Sequence, residues 1–316
     1  MARPRVALAM SEVAFSRLFT EQSLARLRDV ADVADAEIAA LGDVELLLTG
    51  WGCPPVDEAV LAAAPRLRAI VHAAGSAKRL VTPACWARGI VVSTAAEANA
   101  QPVAEYTLAM ILLANKAAPR AERLYRERRA QVDALAELPG IGNSGKTVGV
   151  IGASRIGRRV IDLLRPFDLE LLVHDPYLAG SVPLDDLLTA ADVVTLHAPS
   201  LPSTRHMLDR RRLGLMRDGA TLVNTARGAL VDHDALIAEL RTGRISAVLD
   251  VTEPEPLPAD SPLYELPNVV LTPHIAGALG TEVRRLGDAA IDEVARYAAG
   301  EPFAHPLTAA DLDRVA

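Results

Sequence analysis

Through its first hundred residues the chain alternates short aliphatic or β-branched runs with amphipathic stretches. Residues 5–10, 44–49, 67–72 and 89–94 carry the continuous apolar character of strands. Residues 16–33 and 57–64 place their apolar side chains at helical spacing between them. Such alternation predicts a parallel α/β layer. A longer helical pattern begins near Pro102 and runs through Val103, Ala104, Glu105 and on to Leu113. Proline suits a first helical turn, where the N–H it lacks has no intrahelical partner. A stretch containing proline and glycine, residues 138–145, precedes a second series with strand candidates at 147–151, 169–175, 193–197, 221–225, 245–251 and 269–272. Six strands separated by helices predict a doubly wound sheet, which binds ligands beyond the carboxyl ends of its strands. A last helix, about residues 281–299, is expected to return the chain to the first layer.

Composition narrows the class. At 316 residues the chain is about twice a usual domain length. Half of its residues are hydrophobic and 23% are charged, which suits two ordinary packed cores. A formal charge of -7 argues against nucleic acid, whose binding rests on clustered Lys and Arg. The locally basic Arg120, Arg123, Arg126, Arg128 and Arg129 are interleaved with Glu122 and Glu127, the pattern of a solvated helix face. No apolar run reaches the length of a bilayer span, and the run at residues 6–10 is too short for a secretion signal. The expectation is a cytoplasmic protein with no membrane partner. Cys53 and Cys85 stand in unrelated contexts without metal-ligand spacing, so free thiols and no metal are expected.

The candidate cofactor site begins where the strand at 147–151 runs into Gly152, Ala153, Ser154, Arg155, Ile156 and Gly157, followed by a helical segment. This order of strand, glycine turn and helix suits a dinucleotide's pyrophosphate. The positive end of the helix attracts the anion, and glycine allows close packing. Ser154 replaces the glycine usual at the middle position and offers a hydroxyl to the phosphate instead. Asp175 follows 18 residues after Gly157, near the spacing of the acid that binds the adenosine ribose. A carboxylate there favours NAD, because it would repel the extra phosphate of NADP.

Moving a hydride between a hydroxy acid and nicotinamide requires a proton acceptor and a cation for the carboxylate. Three late segments, each at a predicted strand end, supply such groups. They are Asn224-Thr225-Ala226-Arg227-Gly228, Asp250-Val251-Thr252-Glu253-Pro254-Glu255 and Thr272-Pro273-His274.

With Asn99, Val103-Ala104-Glu105, the glycine turn and His197-Ala198-Pro199 with Thr204 preceding them, these segments make the chain resemble the D-isomer-specific 2-hydroxyacid dehydrogenase family. The resemblance is close from Asn99 to Gly277. It implies that Arg227 binds the substrate's carboxylate and carbonyl, and that His274 is the acid–base group. Glu255, five residues after Asp250, would orient His274, with Glu253 as the rival. Asp250 would meet the nicotinamide, while Arg155, Ile156, Thr204, Thr225 and Ala226 would line the rest of the cofactor. Ala74 and Gly75 would contact the substrate. Their loop departs from the family's glycine-x-glycine pattern, with Lys78 near the place of an acid, and Thr252 replaces a common phenylalanine.

The implied fold is α/β, with a Rossmann-type doubly wound domain (99–276) inserted in a smaller flavodoxin-like substrate domain (1–98 and 277–316). The implied activity is hydride transfer between NAD(H) and a small D-2-hydroxy acid or 2-oxo acid. A homodimer built on the helix from Pro102 is expected as in similar enzymes. Two alternatives stay open on these residues. One is an NAD(H)-sensing, corepressor-like interaction protein, and the other a related dehydrogenase of amino or thioether substrates.

Overall fold

The computed structural model of the protein describes residues 3–34 and 38–312. Residues 1–2, 35–37 and 313–316 of the expected first domain lie outside the described residues. Among the described residues, those up to Ala100 and those of 278–312 form one unit, and Gln101–Gly277 form a second.

In the first unit β1 (Arg5–Ala9), β2 (Asp32–Ala34), β3 (Leu46–Thr49), β4 (Ala69–His72) and β5 (Val91–Thr94) are parallel, in the order 2-1-3-4-5. That is the flavodoxin-like order. Pro306–Leu307 adds an antiparallel edge beside β5. Every side chain of β3 and β4 is buried, as in parallel strands covered on both faces. Alternate residues feed separate clusters: Leu46 and Leu48 pack with Leu18, Leu27 and Leu286, whereas Leu47 packs with Leu61 and Leu80.

Two expectations for this region are corrected. The helical pattern over 16–33 is two helices, Glu12–Leu18 and Glu21–Val30, followed by β2. Thr20 interrupts it: its hydroxyl accepts from Ser23 N (3.1 Å), while the Ser23 hydroxyl accepts from Thr20 N (2.8 Å). This reciprocal capping starts the second helix. The long helix spans Ala96–Asn115, so Pro102 lies inside it rather than in its first turn. Without an N–H, Pro102 leaves the Ala98 carbonyl without its helical partner in an otherwise continuous helix.

The second unit contains all six expected strands: β6 (Lys146–Ile151), β7 (Leu169–His174), β8 (Val193–Leu196), β9 (Thr221–Asn224), β10 (Ser246–Leu249) and β11 (Val269–Leu271). They are parallel, in the order β7-β6-β8-β9-β10-β11. Strand order reverses at β6, and a crevice opens beyond the carboxyl ends of the strands at such a point. Leu196, Leu222 and Leu249 pack on one face with Leu187 and Leu213, and Val150, Val223 and Val248 pack on the other with Val160 and Leu164. On the arginine-rich helix Ala118–Arg128, Arg126 pairs with Glu122. Among the described residues, no helix is long and apolar enough to cross a membrane.

Candidate functional site

The glycine turn lies where β6 meets the helix Arg155–Leu164, at the reversal point of the sheet. A Cβ on Gly157 would sit 1.9 Å from the Gly152 carbonyl oxygen, so only glycine lets this helix approach the strand. Gly152 itself has φ +95, and a Cβ there would meet the His197–Ala198 backbone at 2.6–2.8 Å. Ser154 is exposed, and its hydroxyl does not cap its own helix. Arg155 and Ile156 are half-buried on the first turn. Asp175 holds the rim, its carboxylate accepting from Ala153 N (2.8 Å) and Tyr177 N (2.9 Å). Open backbone at a helix N-terminus beside a fixed carboxylate fits a dinucleotide's pyrophosphate and ribose.

Beneath the turn, His197 is 3% exposed and shares a hydrogen bond with the Thr195 hydroxyl (3.0 Å). Burial pushes its pKa down to about 3. Two residues expected at the cofactor turn their hydroxyls to protein. Thr204 donates to the Pro199 carbonyl (2.6 Å), and Thr225, 6% exposed, is bonded to Thr107 on the long helix (2.8 Å). Ala226 is buried, its N–H on Asn224 Oδ1 (3.1 Å).

Arg227, Glu255 and His274 follow the neighbouring strands β9, β10 and β11. Asn224 shapes the first loop, its amide donating to the Arg227 carbonyl (2.9 Å). The Arg227 guanidinium donates to Ala226 O (2.6 Å); burial lowers its pKa, and the charge of Glu255 opposes that shift. A Cβ on Gly228 would fall 2.1 Å from the Thr252 carbonyl carbon, so this loop lies directly against the one carrying Glu255. Glu255 Oε1 is 2.7 Å from His274 Nδ1. A carboxylate accepts, so a neutral His274 ring in this contact donates from Nδ1 and has its lone pair on Nε2. Glu253, by contrast, pairs with Arg205 (2.9 Å), which lowers its pKa.

His274 has φ 54, in the left-handed region, at a cost of about 1–3 kcal/mol for a residue with a side chain. Asp250 holds it there. Its carbonyl accepts from His274 N (3.0 Å), and its carboxylate accepts from Thr272 Oγ1 (2.6 Å), Ile275 N (2.8 Å) and Ala276 N (2.9 Å). Asp250 is 2% exposed, so these bonds form where water does not compete. Because Thr272 gives its one hydroxyl proton to Asp250, the Tyr106 hydroxyl must donate to Thr272 (2.8 Å). No spacing in the sequence signals this bond of Tyr106 to a residue 166 positions away.

Ala74 and Gly75 lie in the first unit, on the loop after β4, where Ala74 O accepts from Ala95 N (3.1 Å). Among the described residues no group of three His, Cys, Asp or Glu side chains could hold a metal. Cys53 and Cys85 are free thiols, and burial raises Cys53 to about 11.

Comparison with known proteins identifies the family. Residues 108–276 match the NAD-binding domain of D-isomer specific 2-hydroxyacid dehydrogenases. D-3-phosphoglycerate dehydrogenase of Mycobacterium tuberculosis is 35% identical over 277 residues, 84% of this chain and 52% of that protein. The chain thus spans about half the length of such relatives. Glyoxylate reductase of Thermofilum pendens is 32% identical over 95% of this chain and 93% of its own length. Among solved structures, D-lactate dehydrogenase from Aquifex aeolicus, complexed with NAD and lactic acid, superposes with TM-score 0.70 at 27% identity, covering 94% of this chain and 96% of that one. A phosphoglycerate oxidoreductase from Rhizobium etli superposes with TM-score 0.81 at 25% identity over 96% and 97%. With the NAD-binding family model matched over more than half of the chain and a glyoxylate reductase matched along nearly its whole length, the chain belongs to the D-isomer specific 2-hydroxyacid dehydrogenase family.

Proposed function

We propose that the protein is an NAD(H)-dependent oxidoreductase that interconverts a small D-2-hydroxy acid and its 2-oxo acid. The observation that carries this reading is the 2.7 Å contact between His274 Nδ1 and Glu255, with Arg227 on the adjoining loop. When bound, NAD supplies the hydride acceptor.

In oxidation His274 Nε2 takes the proton of the substrate hydroxyl; in reduction the protonated ring returns one to the carbonyl oxygen. Glu255 keeps the ring in the tautomer that leaves Nε2 toward substrate, and it stabilises the imidazolium formed. The Arg227 guanidinium, a planar fork, binds the substrate carboxylate with two parallel hydrogen bonds and polarises the carbonyl whose carbon receives the hydride. Asp250, Thr272 and Tyr106 act through His274 as positioning residues. Ser154, Arg155, Ile156 and Gly157 hold the pyrophosphate, with Thr204, Thr225 and Ala226 shaping the walls around it. Asp175 takes the ribose hydroxyls and disfavours an added phosphate, hence NAD over NADP. A homodimer along the helix Ala96–Asn115, where Leu113 is 45% exposed, belongs to the same reading.

The test is NADH oxidation against a panel of 2-oxo acids. Consumption of at least one, much faster with NADH than NADPH, is expected. Tight NADH binding with no 2-oxo acid consumed would sink the reading.

A further inference from the structure

Beside His274 and Glu255, within the second unit, lies a pocket of about 480 Å³. That volume falls in the range of small-molecule sites, about 300–1,000 Å³, and exceeds what a carboxylate and a carbonyl alone require. His274 and Glu255 form part of its wall, and Thr252, Leu257, Tyr264 and Leu271 form much of the rest. Among the described residues no lysine or arginine lines it, and Arg227 is not part of the wall. Of the two carboxylates that line it, Glu255 is bonded to His274 and Asp250 to three donors of the segment after β11.

We propose that this pocket receives the substrate's side chain, and that the preferred substrate is a 2-oxo acid with an uncharged, apolar tail of several carbons. The inference rests on the roles given above to His274 and Arg227. Arg227 grips the carboxylate, His274 meets the carbonyl oxygen, and the third substituent of the reacting carbon enters the space that His274 and Glu255 border. A phosphate or carboxylate on that tail would lie beside the Glu255 carboxylate with no lysine or arginine to pair it, while the protonated His274 ring is already held by Glu255, which is unfavourable. A hydrocarbon tail meets Leu257 and Leu271 and displaces water from apolar surface. Thr252 is short enough to leave the space open, and a larger side chain there would fill it.

The experiment measures kcat/KM with NADH for glyoxylate, 2-oxobutanoate, 4-methyl-2-oxopentanoate and 3-phosphonooxy-2-oxopropanoate, in the wild type and in Thr252→Phe. In the wild type the value is expected to rise with the hydrocarbon tail, reaching about tenfold or more above glyoxylate, within the range a few buried carbons supply. The phosphorylated acid is expected to fall below glyoxylate. Thr252→Phe should reduce the ratio of 4-methyl-2-oxopentanoate to glyoxylate by about tenfold, because only the tail-bearing acid needs the space. Leu257→Arg provides a second variant should Thr252→Phe fail to fold, and it should raise the phosphorylated acid relative to 4-methyl-2-oxopentanoate. A wild-type preference for the phosphorylated acid overturns the inference, as does a flat series with glyoxylate reduced well. If no acid is reduced although NADH binds, the parent reading falls, and the pocket's role with it.

Discussion

The two units run their first five strands in the same order, yet they treat the end of the first strand differently. In the first unit Ser11 follows β1 closely, and its hydroxyl accepts from Ala14 N (3.2 Å), closing the start of its own helix. In the second, Ser154 follows β6 without capping its helix, between glycines whose missing side chains let strand, helix and the His197 segment converge. Topology supplies a reversal point in both units. An uncapped helix start and bare backbone leave that point open only in the second unit, where the proposed reading puts the phosphates. The histidines differ in the same way. His72 (β4) and His197 (after β8) are buried against threonine hydroxyls and lowered to about 4 and about 3, whereas the His274 side chain is 51% exposed and set by a carboxylate.

The histidine contrast carries the largest expected effect. His274→Ala should reduce kcat by about 10²–10⁴-fold, as for a positioned acid–base group, with NADH affinity by fluorescence titration nearly unchanged. His72→Ala should instead lower Tm, since it empties a buried site and strips Thr49 of one of its two partners. Equal turnover in wild type and His274→Ala would erase the distinction.

Acid should act next. His72 and His197 stay neutral in the fold to well below the unfolded value of about 6.5, so between those limits the unfolded chain binds more protons. Their stabilisation is complete above pH ~6.5 and is lost as pH falls toward about 4 and about 3, by up to about 1.4 kcal/mol per unit for each histidine. Urea midpoints should therefore drop steadily from pH 7 to 5. Replacing His72 with asparagine should flatten that slope, and a slope untouched by the substitution would count against it.

The smallest effects come from the two serines, and they should cross. Ser11→Ala should cost about 1 kcal/mol of stability, the usual loss of a helix cap, and leave the NADH Kd alone. Ser154→Ala should leave urea stability unchanged and raise the NADH Kd by about tenfold, the worth of one hydrogen bond to a charged group. Calorimetric titration together with urea unfolding reads both. If the two substitutions behaved alike, the contrast between the units would lose its basis.

Much of the fold was legible because parallel strands covered on both faces are continuous apolar runs, as in Leu46–Thr49 and Val193–Leu196. The break at Thr20 was not, since threonine and serine are ordinary within helices until their hydroxyls turn onto the backbone. Nor was β2, whose three residues are too few to show a period. At the candidate site, Gly152, Gly157 and the segments ending in Arg227, Glu255 and His274 could be read directly, because each is a local pattern at a strand end.

By itself, then, the sequence determined two α/β layers, a phosphate-competent turn after the strand at 147–151, and the order of arginine, glutamate and histidine along the chain. Only the tertiary structure decided that Glu255 meets His274 while Glu253 goes to Arg205, and that Asp250, Thr272 and Tyr106 lock the histidine's loop. Those choices depend on the register of neighbouring strands and on hydrogen bonds formed out of water. Partners as far apart as Tyr106 and Thr272 leave no trace in local periodicity.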